Sequence, residues 1–265
     1  MPFPEKQRVI YKKNPLNKVI CQFRFPPILR IDSEIPSSFQ DSIRSDFPLY
    51  QEKIEVQNQV ALGSKGNLPP EIISHLSKTV STKNHEFSTV DGVWKINLTR
   101  TFLSLSTSSY YCWEDFKSRL IPLYELFIKL YTPPFVTRIG LRYIDIFDRS
   151  KLGLSNTSWS ELLQPYFLGL LSSEVGNKIQ NSENINEILL SDDISVLRMV
   201  NSFVQNAQSQ EQCYMVDSDF YFPRRIPTNE IFPKLDYLHQ RATRLIQWII
   251  TSKLHEAMEP EDYEQ

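Results

Sequence analysis

Two stretches of this chain carry an apolar stripe at helical spacing, and each one closes a run of segments that alternate apolar and polar residues. The first stretch is WEDFKSRLIPLYELFIKLY (113–131), where Trp113, Phe116, Leu120, Leu123, Phe127 and Leu130 share one helical face. The second begins near Thr228 and is expected to run as one long helix, with Ile231, Leu235, Leu238, Ala242, Leu245, Ile249 and Leu254 along its stripe. A helix of that length must bury its stripe against another apolar layer, and alternating strands offer one.

Alternation is clear in VICQFRF (19–25), KIEVQNQVAL (53–62), the hairpin VWKINLT/TFLSLST (93–107) and FVTRIGLRYIDIF (135–147). It returns in NEILLS (186–191), SVLRMVNSFV (195–204) and QCYMVDSDFYF (212–222). The expected fold class is α+β, with two similar halves, each made of antiparallel strands and a long amphipathic helix. Residues 1–150 form the first half and 151–265 the second, in one compact domain with one continuous curved sheet and helices on one face. The likeness of the halves is one of pattern, as an old duplication would leave, and no short-period repeat is present.

Local signals fill in the rest. Pro26 and Pro27 end the first strand, and Ser37 with Gln40 has the spacing of a capping box for a short helix in PSSFQDSI. Residues 63–90, with Gly63, Gly66, Pro69 and Pro70, read as a loop around a helical turn. Pro122 should kink the first long helix, and Pro133 and Pro134 stop it. Ser158 and Glu161 cap a short helix that Pro165 ends.

Charge and composition set several activities aside. The net charge is −2, which disfavours a dedicated non-specific nucleic-acid binder. A basic arm (1–17) and an acidic tail (258–265) read as solvated ends. No apolar run is long enough to span a membrane, and the charged N-terminus lacks the apolar core of a signal peptide. Cys21, Cys112 and Cys213 are isolated, as reduced thiols packed in a cytoplasmic protein would be. The seven glycines form no phosphate-binding motif, so no nucleotide cofactor is expected. His75, His85, His239 and His255 are too dispersed for a local zinc site, and His239 and His255 read as surface or helix-end residues. No catalytic residue, metal ligand or cofactor is assigned.

One constellation remains as a binding candidate. On the strands, Gln22 and Arg24 share a face, as do Arg138, Gly140 and Arg142, and likewise Asp217 and Asp219. These polar sides should point away from the apolar core. They could form a solvated face laced by cross-strand Arg–Asp pairs, or a concave surface for an anionic ligand, an RNA strand or a protein segment. The glycine between two arginines would admit an anion close to the backbone. Asp217 and Asp219 as a metal or acid–base pair is a further option.

Five ordered blocks carry a resemblance: NPLNKVICQFRFPPILRI (14–31), YYCWEDF (110–116), RIGLRYIDIF (138–147), MVDSDFY (215–221) and LHQRATRLIQWIITSKLHEAM (238–258). Together they resemble a sporadically distributed bacterial family of uncharacterised proteins of similar length. The resemblance brings no catalytic residue or cofactor with it, and the patchy distribution suggests mobile or defence-related islands. The functional expectation is a non-enzymatic binding or interaction protein, such as an accessory subunit of a defence or mobile-element system, with another protein as partner. The alternatives are an RNA-binding protein or metal-independent ribonuclease, and a small-molecule binder using the space between sheet and helices.

Overall fold

Alternation turns into pairing in the computed structural model, which describes residues 3–59 and 78–262. In chain order the strands are β1 (Val9–Tyr11), β2 (Leu16–Arg24), β3 (Leu49–Gln59), β4 (Lys78–Ser88), β5 (Trp94–Leu98) and β6 (Phe102–Thr107). They continue as β7 (Arg138–Phe147), β8 (Glu183–Leu189), β9 (Val196–Gln205), β10 (Gln212–Phe222) and β11 (Pro260–Asp262). The helices are α1 (Arg30–Ser33), α2 (Ser37–Ile43), α3 (Trp113–Tyr131), α4 (Trp159–Leu162), α5 (Pro165–Leu168), α6 (Ile231–Ile249) and α7 (Ser252–Ala257).

Nine strands form one sheet in the order β3-β4-β5-β6-β2-β7-β10-β9-β8, and every pair in it is antiparallel. The sheet therefore crosses residue 150 without a break. Its centre is the β2–β7 pair, with Cys21 opposite Leu141 and Phe23 opposite Ile139. The order mirrors about that pair. After β2 the chain crosses to the edge strand β3 and returns inward through β4, β5 and β6, and after β7 it crosses to the edge strand β8 and returns inward through β9 and β10.

Period-two side-chain alternation gives the sheet one apolar face, and the long helices lie on it. Phe23 packs in a tilted contact on Tyr124 of α3 at 4.7 Å, Phe25 on Phe127 at 4.6 Å, and Trp94 on Phe116 at 5.6 Å. On the other half, α6 lays Leu235, Leu238, Ala242 and Leu245 against β7 and β10, and all four are buried. Helix α3 runs through Pro122 without interruption. The three cysteines are buried free thiols.

Four expectations are corrected. Residues 78–88, taken as loop, are β4, paired over its whole length with β3. The apolar signal there is thin because buried His85 shares the inner face with Phe87 and bonds the Ile31 carbonyl; residues 60–77 lie outside the described part. The Ser37–Gln40 capping box does not form, because the helix begins at Ser37 itself with Pro36 at the cap position. The box at Ser158 and Glu161 does form. The terminal helix is two helices, since the chain breaks at Ile250–Thr251. There the Gln164 N–H takes the Ile249 carbonyl at 2.8 Å and the Thr251 N–H takes the Leu162 carbonyl at 2.9 Å, so the backbone turns into a short bridge.

The fourth correction concerns the ends. The basic arm and acidic tail are docked on each other: β1 pairs with β11 in a two-stranded sheet. Lys12 meets Glu261 at 2.7 Å and Lys13 meets Glu259 at 2.9 Å, while Lys6 donates to the Gln247 carbonyl of α6 at 2.7 Å. Opposite charge patches at the two ends, distant in sequence, are thus a clasp. Among the described residues no helix is long and apolar enough to cross a membrane.

If the α3–sheet contact carries the first half, Phe23→Ala should lower the unfolding free energy by about 3–5 kcal/mol in urea titrations. A loss below about 1 kcal/mol would mean that this layer is not packed as described.

Candidate ligand-binding site

The open face holds the charged constellation in a paired state. Arg142 donates to both Asp217 oxygens, through Nε at 2.6 Å to Oδ1 and through Nη2 to Oδ2. Arg138 bonds Asp219 at 2.8 Å and lies over the Tyr221 ring at 4.5 Å. Arg24 donates from Nε to Gln22 at 2.9 Å. Gln22, Arg24, Arg138, Arg142, Asp217 and Asp219 therefore stand together on one face, as the alternation requires, and the charges largely answer one another. The opening over Gly140 is taken by Arg138 itself, since a Cβ at Gly140 would meet Arg138 Nη1 at 2.5 Å.

The other face contains what the strand pattern did not bring out. In RIGLRYIDIF, odd positions 139, 141, 143, 145 and 147 point toward the helices, so Asp145 sits on the apolar side and is only 2% exposed. Register sets Ser218 of β10 directly across from Tyr143, and Ser218 is 1% exposed. Helix α6 brings His239 above them at 6% exposure, so the surface reading of His239 is wrong. The reason is helical phase: His239 follows Leu235 by four residues and precedes Ala242 by three, which places it on the stripe.

These three residues line one pocket between β7, β10, α6, strand β1 and the segment 110–112. The space in and over it is about 760 Å³ with open solvent counted in, and its other walls include Val9, Leu16, Phe220 and Ile246. Arg8 lines it too, held by Glu114 through two bonds of 2.7 and 2.8 Å. His239 is fixed from two sides: the Tyr143 hydroxyl bonds Nδ1 at 2.9 Å, and its ring stacks on Trp113 at 5.0 Å and 14°. Trp113 is in turn anchored, donating to Asp236 at 2.7 Å.

Asp145 Oδ2, Ser218 Oγ and His239 Nε2 are buried with no hydrogen-bond partner among the described residues. Each such orphan costs on the order of 1–3 kcal/mol, and several around one pocket is the pattern of a site completed by a ligand. Burial alone pushes the Asp145 carboxyl up to about 7. Burial, followed by the nearby Arg8 charge, holds His239 down to about 3, so its ring is neutral at pH 7. Burial likewise pushes the Tyr143 phenol well up.

Serine, histidine and aspartate are present, but not wired as a hydrolytic triad. Nδ1 of the histidine faces a tyrosine and not the carboxylate, and Ser218 Oγ has no base against it. Among the described residues no group of three His, Cys, Asp or Glu could hold a metal ion.

A carboxyl that titrates near 7 when folded and near 3.8 when unfolded leaves the folded state holding the extra proton in between. Stability should therefore fall as pH rises from about 4 to 7 and level off above. Between pH 5 and 8 the wild-type protein should lose about 2–3 kcal/mol more than Asp145→Asn, measured by urea unfolding at both pH values. Parallel profiles would show that Asp145 is not a desolvated carboxyl.

No protein-family model matches the chain, and no curated protein is significantly similar to it.

Proposed function

We propose that this is a non-enzymatic binding protein that holds a small ligand between the centre of its sheet and α6. The observation that carries this reading is the set of buried, partnerless polar atoms of Asp145, Ser218 and His239 in a mostly apolar pocket. Polar groups in such a place are stable only if something meets them, and few precisely placed polar atoms in a greasy cavity are how small molecules are oriented. The histidine wiring supports binding over hydrolysis.

Contact with a protein or RNA through the open face has less support. Two of its three arginines, Arg138 and Arg142, are already neutralised by Asp219 and Asp217, which weakens the attraction for phosphates. The mirrored strand order supports the duplication reading, with the junction between α3 and β7 and not near residue 150. Right-handed twist accumulating over nine strands favours a curved sheet.

A thermal-shift screen of small polar organic compounds tests the function directly. A ligand at a hundredfold excess over its Kd should add about 2.7 kcal/mol, several degrees of Tm. The same compounds should lose their effect on Ala242→Leu, which fills the pocket from α6 and whose fold is checked by circular dichroism. If no compound raises the Tm of the wild-type protein above that of the filled variant, the proposal fails.

A further inference from the structure

We infer that the ligand carries a protonated amino group on an apolar or aromatic body, with that group seated against Asp145, Ser218 and His239. The inference rests on the pocket reading above and adds the class of molecule. An alkylammonium has three N–H donors and no acceptor. The pocket wall offers it a carboxylate oxygen, a hydroxyl oxygen and, in one tautomer, the bare Nε2 of an imidazole, each buried and partnerless.

Position supports the match. Ser218 is the cross-strand partner of Tyr143, Asp145 is two residues along the same face, and His239 is bonded to the Tyr143 hydroxyl. All three are therefore grouped around one tyrosine. Tyr11, Tyr110 and Tyr111 also line the pocket, and aromatic rings favour a cationic ligand over an anionic one.

Charge bookkeeping at the mouth agrees. Arg8, the cation among the lining residues, is paired bidentately with Glu114, and what is left of its charge is felt at His239. Among the described residues Asp145 forms no ion pair and its Oδ2 has no hydrogen-bond partner, so it stands as the acid without a counter-charge. A ligand cation provides that counter-charge. Above pH 7, where Asp145 is ionised, an anionic ligand would add a second negative charge and a neutral ligand would leave the carboxylate without a counter-charge.

The test is calorimetry on the full chain with three probes of one shape: phenethylamine, phenethyl alcohol and 3-phenylpropionate. At pH 8 the amine should bind at least tenfold more tightly than the alcohol, and the carboxylate should not bind. Asp145→Asn should reduce that preference to less than threefold. Ser218→Ala should weaken the amine more than the alcohol, with circular dichroism confirming that both variants fold. Alcohol or carboxylate binding as tight as the amine, lost in Ala242→Leu, would overturn the ligand class and leave the pocket reading intact. Failure of all three probes to bind would overturn the amine assignment, and the thermal-shift screen then decides the pocket separately. An amine preference unchanged in Asp145→Asn would also overturn it.

Discussion

One-sided burial governs this molecule. A nine-stranded antiparallel sheet has only one of its faces covered by helices among the described residues, so every central strand must be apolar toward α3 and α6 and polar away from them. The aromatic contacts of Phe23 with Tyr124 and of Phe25 with Phe127 show how tightly the first long helix is seated. Burying a large aromatic in such a layer is worth about 1.5–3 kcal/mol by area removed from water, and the layer is continuous across both halves. Elements at the rim, such as the short helices 159–168, find their place against that core and not on their own.

Against this rule, the polar residues divide into two kinds. Those on the open face are answered: Arg142 by Asp217, Arg138 by Asp219 and Tyr221, Arg24 by Gln22. Half-exposed pairs of this sort contribute up to about 1 kcal/mol each and set register as much as stability. Those on the covered face, Asp145, Ser218 and His239, are only partly answered. A fold under selection for stability alone has no reason to keep a carboxyl in an apolar layer, and locally unfavourable groups of this kind gather at functional sites.

The chain ends shape the same region. Strand β1 lines the pocket while its partner β11 ties it to the other end of the chain, and the Lys12–Glu261 and Lys13–Glu259 pairs fasten the two. Each pair is exposed and worth little by itself. The ladder they border places Arg8, Val9 and Tyr11 over the pocket, so the site is walled by segments more than two hundred residues apart in sequence.

The sequence by itself determined the local elements and their faces. The stripe of 113–131, the strand 212–222 and the Ser158–Glu161 capping box follow from spacing that neighbours in sequence enforce. The same alternation assigned Arg138, Arg142, Asp217 and Asp219 to one face, because period two needs no knowledge of the partner strand. It also held the signal for the pocket, a carboxylate at Asp145 in step with Leu141 and Tyr143, and a histidine in step with Leu235 and Ala242. Only the tertiary structure decided which strands are neighbours, that 78–88 pairs rather than loops, and that the charged ends clasp. It alone brought Asp145, Ser218 and His239 around one tyrosine, because hydrogen-bond register between distant strands is fixed by packing against the helices and leaves no trace in local spacing.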